Sequence, residues 1–322
     1  MHIKSLCVKV HKKTGEITRQ KLIQHKVFNS NLKIASEGDY LLIPIIKRIQ
    51  GYEIEEHEFE ILRKKRTPEE ILGYTPAYEL IGDIAIINRH EADAHRIAYA
   101  LIGQKRIKTV LQAETCVDGE YRIRKLSFLA GEKKTKTIYK ENKCRYLLDL
   151  EKVYFTSRLA AERIRIVCQI KDGDKVVDMF AGVGQFSILI AKRYPHAKVI
   201  AVDKNPHAIK YLRENIKLNK VDIEIKEGDA RDVIKEISEV DHIIMNLPHR
   251  VFDFLSDALH AIKKGGIIHL YAIAHEDEFG AVLKRIKEIA SRSNMNIIPL
   301  NKRIVRPYAP YQYNICIDFR VI

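Results

Sequence analysis

Residues 174–206, DKVVDMFAGVGQFSILIAKRYPHAKVIAVDKNP, constrain the fold more than any other stretch. A short apolar run at Val176 and Val177 ends in Asp178 and enters a small-residue turn at Ala181, Gly182 and Gly184. A helical run starts near Phe186, and a second apolar strand, Val199–Val202, ends in Asp203. Strand, glycine turn, helix, strand and terminal acid is the layout of a βαβ unit that binds an adenosine-bearing cofactor. Glycines let the backbone approach such a ligand, and a terminal carboxylate can accept both ribose hydroxyls.

The turn separates two cofactor classes. A dinucleotide fold carries GxGxxG, whose third glycine allows tight helix–strand packing around a pyrophosphate. Here Gly182-Val183-Gly184 is followed by Gln185-Phe186-Ser187, so the third glycine is missing and a bulky ring takes the room. Phe180 offers an apolar or adenine-facing surface just before the turn. Asp178, Asp203 and Asp229 each follow an apolar strand, which sets three carboxylates along one sheet edge. For any one of them a helix N-cap is the alternative reading. Together they suit S-adenosylmethionine, which has a cationic sulfonium and no phosphate.

At 322 residues the chain has room for two or three domains. No apolar run approaches the roughly 20 residues that span a bilayer, and MHIKSLCVKVHKK lacks a secretory apolar stretch. Cys7, Cys116, Cys144, Cys168 and Cys316 are odd in number and widely spaced, which points to reduced thiols in a cytoplasm. Neither a structural zinc site nor any other metal is expected.

The net charge of +14 favours a polyanionic partner, with a lysine-rich solvated surface as the plain alternative. Its distribution tilts the balance. Residues 121–145 hold nine Lys or Arg against Glu132 and Glu141, a local +7 that is half the total. Glu53, Glu55, Glu56, Glu58 and Glu60 form an acidic strip that would repel phosphate.

The pattern along the chain gives three segments: 1–66, 67–155 and 156–322. In the first, strands are expected at 3–10, 39–45 and 52–62, a turn at Thr14-Gly15 and a helix at 17–27. It ends at the polar linker RKKRTPEE (63–70), where Pro68 opens the next helix. The second is read as a mixed sheet carrying the basic patch. Its expected elements are a strand IGDIAIIN (81–88), a helix at 91–103, and strands near 106–111, 121–128, 135–139 and 145–150. The third alternates strands (175–179, 198–202, 222–226, 241–245, 267–273, 312–321) with helices, the signature of a doubly wound sheet closing in an antiparallel hairpin. KRIVRPYAP is left without an element between the helix at 276–292 and the last strand.

The fourth of those strands ends in Asn246-Leu247-Pro248-His249. An Asn-x-Pro loop with an aromatic ring can hold a planar nitrogen heterocycle through its amide, a freed carbonyl and stacking. A plain turn, using Asn and Pro for their backbone preferences, is the other reading.

VYFTSRLAAERIRI (153–166), VVDMFAGVGQFSI (176–188), DKNPHAIKYLRENIKLNK (203–220), MNLPH (245–249) and IVRPYAP (304–310) together resemble archaeal and eukaryotic tRNA guanosine-37 N1-methyltransferases. The resemblance covers roughly residues 80–322, and the first module is similar to that family's small N-terminal domain. It departs at Gln185, where the family usually has proline, and at His249, where such loops more usually carry tyrosine. It implies an α/β fold: a Rossmann-like class I methyltransferase domain preceded by two small α+β domains.

The implied catalytic groups are Glu162 as general base, Arg122 as the partner of guanine O6, and Asn246. Read from its neighbours alone, Glu162 is an acid on a helix paired with Arg165 at i, i+3. The expected cofactor set is Arg163, Asp178, Phe180, Gly182, Gly184, Asp203, Lys204, Asp229, Ala230, Asn246 and Pro248. The implied partner is tRNA, met at the anticodon loop and the elbow by a monomeric cytoplasmic enzyme. Competing readings are a wyosine-pathway enzyme (aminocarboxypropyl transfer, or C-methylation alongside N1-methylation), an exocyclic-amine RNA methyltransferase, and a tRNA-binding chaperone on an inactive fold.

Overall fold

A computed structural model of the chain describes residues 2–62, 66–115, 117 and 119–322. Arg63, Lys64 and Lys65 of the expected linker, and Cys116, lie outside the described residues. The chain divides into two compact units, Met1–Tyr74 and Thr75–Ile322. Among the described residues no helix is long and apolar enough to cross a membrane.

The first unit holds β1 (His2–His11), α1 (Gly15–Gln24), β2 (Ala35–Glu37), β3 (Tyr40–Pro44) and β4 (Ile54–Glu60). The strands form one antiparallel sheet in the order β2-β3-β1-β4. As a central strand β1 buries Cys7 and Val8, and Val8, Leu22, Val27, Ile43 and Ile45 make a core. The strands and helix expected here are present. In place of a turn at Thr14-Gly15, a 3-10 turn at Lys12–Thr14 runs into α1, started by His11 Nδ1 accepting from the Lys13 N–H (3.2 Å). The acidic strip falls largely on β4, where Glu55 and Glu60 face Lys9 (3.6 Å) and Lys33 (2.9 Å). Pro68 opens α2 (Pro68–Leu72) inside a capping box closed by Thr67 and Glu70.

The second unit begins with β5 (Tyr78–Ile81), β6 (Ile84–Ile87), α3 (Ala94–Ile102), β7 (Thr109–Ala113) and β8 (Leu126–Gly131). These strands form a sheet in the order β5-β6-β7-β8. IGDIAIIN is therefore not one strand. Gly82, at φ +62°, turns the chain between β5 and β6, and a Cβ there would meet Thr137 Oγ1 at 2.1 Å. Asp83 is then held by Lys134 Nζ (2.8 Å) and Thr137 Oγ1 (2.7 Å).

A second correction concerns the sheet expected to carry the basic patch. β9 (Lys136–Glu141) and β10 (Cys144–Asp149) are a separate two-stranded sheet. Two asparagines four residues apart on one helix clip this hairpin in place. Asn215 and Asn219 accept from the N–H groups of Leu147 (2.6 Å) and Arg145 (2.8 Å) and donate back to the same residues' carbonyls (3.0 and 2.6 Å). The side-chain amides thus satisfy β10's outer edge, which a further strand would otherwise need to do.

The remaining elements are α4 (Ala160–Val167), β11 (Lys175–Asp178), α5 (Gln185–Arg193), β12 (Lys198–Asp203), α6 (Pro206–Asn219), β13 (Glu224–Glu227), α7 (Ala230–Ile234), β14 (Val240–Met245), α8 (Leu255–Ala261), β15 (Ile262–His275), α9 (Phe279–Arg292), β16 (Ile297–Ala309) and β17 (Gln312–Val321). Their sheet runs β13-β12-β11-β14-β15-β17-β16, with β17 antiparallel to both neighbours. Alternate residues enter different cores. Val176, Val199 and Ala201 pack with residues of α5 and α6, while Val177, Ile200 and Val202 pack with residues of α7, α8 and α9. Helices covering both faces make this the expected Rossmann-like α/β layout. The hairpin at the end is also as expected. Its first strand, β16, absorbs KRIVRPYAP and was hidden by Pro299 and Pro307, which an edge strand tolerates at the register shifts found beside both.

Candidate active site

The strand order reverses at β11, which has β12 on one side and β14 on the other. A crevice at the carboxyl ends of the strands is the geometric consequence. It holds a cavity of about 390 Å3, the size class of a small-ligand site. Of the expected cofactor set, Arg163, Phe180, Gly182, Asp203, Lys204, Asp229, Ala230 and Asn246 line it, as does Arg122. Asp178, Gly184, Pro248 and Glu162 are not among the lining residues.

Each of those four has a local reason. Asp178 is fully buried, and its Oδ2 accepts from Ser187 Oγ of α5 at 2.8 Å. Burial, with the charge of Asp203 adding to it, pushes its carboxyl up to about 7. Its Oδ1 has no hydrogen-bond partner. Gly184, at φ +91°, lies against the next helices: a Cβ would meet Leu212 Cδ1 at 2.5 Å and Ile188 Cδ1 at 2.9 Å. Gly182, at φ +56°, is the one with open space above it. Pro248 stands between Leu247 and His249, which do line the cavity. Glu162 is buried with Oε1 accepting from Arg165 Nε (2.9 Å) and Nη2 (2.6 Å) and from the Tyr271 hydroxyl (3.0 Å). The i, i+3 pair is thus present.

The three strand-end aspartates have different jobs. Asp229 caps α7, its Oδ1 accepting from the Arg231 N–H at 2.9 Å, so the cap reading holds there. Asp203 does not cap α6; Asn205 does. Asp203 instead accepts from the Gly182 N–H (2.7 Å) and the Asn205 N–H (2.8 Å), tying β12 to the glycine turn. Burial pushes its carboxyl up, and those backbone N–H groups work against the rise.

Arg163 is almost wholly buried and forms a bidentate pair with Glu141 of β9, at 2.7 and 2.9 Å, while donating to Thr156 O at 3.1 Å. Its guanidinium carbon lies 5.9 Å from the ring centre of Phe186. On the opposite strand ends, Phe180 and Phe254 meet edge to face at 5.0 Å, and Arg231 lies over Phe254 at 4.7 Å. An apolar wall, a strand-end carboxylate and freed backbone groups in one cavity fit an adenosine carrying a cationic chain.

The rim joins the expected Arg122 and His249 to Tyr154 and Tyr308, which motif reading missed. Arg122 has φ +52° and stacks over Tyr154 at 4.8 Å. His249 and Tyr308 meet edge to face at 5.3 Å, and burial together with the Arg122 charge lowers the His249 imidazole's basicity. Tyr308 belongs to IVRPYAP, but no spacing in the sequence ties it to the loop after β14, 59 residues earlier. Phe254 carried no signal either.

Known proteins match this chain along most of its length. The TRM5/TYW2 methyltransferase domain matches residues 137–298, the tRNA methyltransferase 5 N-terminal domain residues 7–53, and the TYW2 N-terminal domain residues 59–135. The tRNA (guanine(37)-N(1))-methyltransferase Trm5b of Pyrococcus abyssi is 43% identical, over 98% of this chain and 99% of its own. Among solved structures, the complex of aTrm5 with tRNALeu superposes with a TM-score of 0.72 at 36% identity, covering 98% of this chain and 99% of that one. TYW2 of P. horikoshii in complex with MeSAdo superposes at 0.68 with 32% identity, covering 80% of this chain and 96% of that one. With the doubly wound sheet, the strand-end cavity and these matches together, the chain belongs to the TRM5/TYW2 methyltransferase family.

Proposed function

We propose that this chain transfers the methyl group of S-adenosylmethionine to N1 of the guanosine at tRNA position 37, beside the anticodon. The observation that carries the reading is one cavity lined at once by Asp203, Asn246 and Arg122. A nucleoside-binding carboxylate, an amide beside a proline loop, and a cation for a developing oxyanion are the parts that N-methylation of guanine needs.

When bound, S-adenosylmethionine supplies an electrophilic methyl group on a sulfonium. Asp203 would accept the ribose hydroxyls and Phe180 and Ala230 would hold the adenine, with Gly182, Lys204, Asp229 and Pro248 completing the set and Arg163, Asp178 and Gly184 as its supports. Asn246 orients the guanine edge, and Arg122 offsets charge on O6. Glu162 takes the N1 proton. Its neighbour Arg163 lines the cavity, and the base acts once its Oε1 exchanges Arg165 and Tyr271 for the substrate. Protonation of the base and the O6 contact belong to the same step, because losing the N1 proton is what places charge on O6.

The three segments then divide the work. Residues 1–66 meet the tRNA elbow, the basic 67–155 segment binds the anticodon arm, and 156–322 hold the cofactor. The enzyme works as a cytoplasmic monomer. Flipped, unstacked loop bases are read on their Watson–Crick edges, which suits a target beside the anticodon.

The test is incubation with S-adenosylmethionine labelled in the methyl group, and in a parallel reaction in the carboxyl carbon, with tRNA transcripts carrying guanosine or adenosine at position 37. Label enters only the guanosine transcript. Label arriving from the amino-acid carbons instead would make the chain an aminocarboxypropyl transferase.

A further inference from the structure

Six polar side chains from α4, β14, β15, β17 and the loop before β11 form one continuous chain in the interior. It starts at Glu162, whose Oε1 holds Arg165. Arg165 reaches on to Asp318, with Nη1 on one carboxylate oxygen and Nη2 on the other. Asp318 also accepts from His269 Nδ1 (2.8 Å) and Gln169 Nε2 (3.2 Å). His269 Nε2 meets His242 Nδ1 at 3.0 Å, the rings stacked within 2° of parallel. His242 Nε2 faces Asp174 Oδ2 at 3.4 Å. Glu162, His269 and Asp318 are at most 3% exposed, and Arg165 and Asp174 only 16% and 17%.

Counting hydrogens fixes the direction of the chain. Asp318 is held ionised against its burial by His269 and Arg165, so His269 Nδ1 must donate to it. Burial and the neighbouring His269 lower His242 to about 3, so it is neutral. A lone pair on His242 Nε2 would repel the Asp174 carboxylate, so the hydrogen sits there and His242 Nδ1 accepts. His269 Nδ1 backs Asp318, and Asp318 and Glu162 divide one guanidinium between them.

That division decides how tightly Glu162 is held. We propose that Asp318, backed by His269 and His242, is a positioning residue that draws Arg165 away from Glu162 and so keeps the base exchangeable. The inference rests on Glu162 being the base. The other groups facing these residues are Tyr271 of β15 and Arg303 of β16 (3.6 Å) at Glu162, Cys316 at Asp318, and the charges of Asp241 and Lys171 near His242. None of them touches both carboxylates, as Arg165 does.

The test is single-turnover methyl transfer to a tRNA transcript as a function of pH, with equilibrium binding of cofactor and transcript, for the wild-type chain, E162Q, D318N and H269Q. In D318N the undivided guanidinium settles on Glu162. The rate falls roughly tenfold, part of the roughly 10²–10⁴ a placed base contributes, and the acidic limb moves to lower pH. Both dissociation constants stay within about twofold, the spread expected when only a base is affected. In H269Q the carboxylate of Asp318 loses its contact with the His269 ring, pulls harder on Arg165, and moves the limb to higher pH. Opposite displacements are the signature of a shared guanidinium. Limbs that stay put or move the same way, with E162Q slow, overturn the proposal and leave Glu162 as base. A fast E162Q overturns the base assignment itself. H269Q decides the matter alone where D318N does not fold.

Discussion

The side-chain amide of Asn215, itself without solvent contact, and the backbone of Leu147 are hydrogen-bonded in both directions, at 2.6 and 3.0 Å. The same amide donates to Val183 O at 3.1 Å, inside the glycine turn. One residue of α6 therefore fastens both the β9–β10 hairpin and the loop beneath the cofactor cavity. Asn215→Ala leaves buried N–H and C=O groups unpaired and costs about 3 kcal/mol. Urea unfolding checks it, and an Asn215→Ala protein as stable as the parent would remove this account of the hairpin.

Asp203 and Glu162 separate binding from turnover. Asp203→Ala weakens cofactor binding by roughly 1.5–3 kcal/mol, the usual worth of a hydrogen bond to a charged group, as read by titration calorimetry. Glu162→Ala lowers the turnover rate by roughly 10²–10⁴ with cofactor affinity nearly intact. The reverse pattern would exchange the two roles.

The two turn glycines differ in what an added methyl group meets. Above Gly182 there is open space, and the residue lines the cavity, so Gly182→Ala weakens cofactor binding. Both positions are left-handed, so alanine at either costs roughly 1–2 kcal/mol of stability; at Gly184 the methyl also meets Leu212 and Ile188, so Gly184→Ala lowers Tm further. Melting curves with and without cofactor distinguish them.

Asp178 gives stability a pH dependence of defined sign. Its folded-state carboxyl sits near 7, above its ordinary 3.8. The folded chain therefore holds this proton more tightly than the unfolded one. The associated stability is complete below about pH 4 and disappears as pH rises through 7, a term of at most roughly 4 kcal/mol. Asp178→Asn flattens unfolding free energy against pH across that window. An unchanged slope in the variant would place the titrating group elsewhere.

Gln185 is the first residue of α5, where proline is well tolerated because the helix leaves that N–H unpaired. Its side chain contributes one long bond, Nε2 to Thr156 O at 3.4 Å. Gln185→Pro is expected to raise stability by about 0.4–1 kcal/mol through the unfolded chain, measured as Tm, with methyl transfer retained.

The βαβ unit was legible because its signals are local: the apolar runs at Val176–Val177 and Val199–Val202, the glycines between them, and a terminal acid. The separation of β9 and β10 from the preceding sheet was not, because it depends on two asparagines about 70 positions away on α6. β16 was hidden for a related reason. Its prolines deny a central strand and permit an edge one, and only the assembled sheet says which it is. In the site, Asp203 and Asn246 sit at strand ends and could be read from their strands. Tyr308 and Phe254 reach the cavity through long-range packing that no spacing encodes. Glu162 was read two ways, from its neighbours and from resemblance, and the pair with Arg165 is the state in which it rests.

β17 is made after β15 and β16 yet lies between them in the sheet. During synthesis the two earlier strands emerge with nothing to join them. The sheet completes only when β17 enters the gap between them. Asp318 and, through the β16 pairing, Tyr308 take up their places at that moment. Before β17 pairs, the glycine turn and Asp203 can form, while Tyr308 and Asp318 are not yet in place. The placing of Tyr308 and of Asp318 behind Glu162 thus hangs on β17, a strand that lines none of the cavity itself.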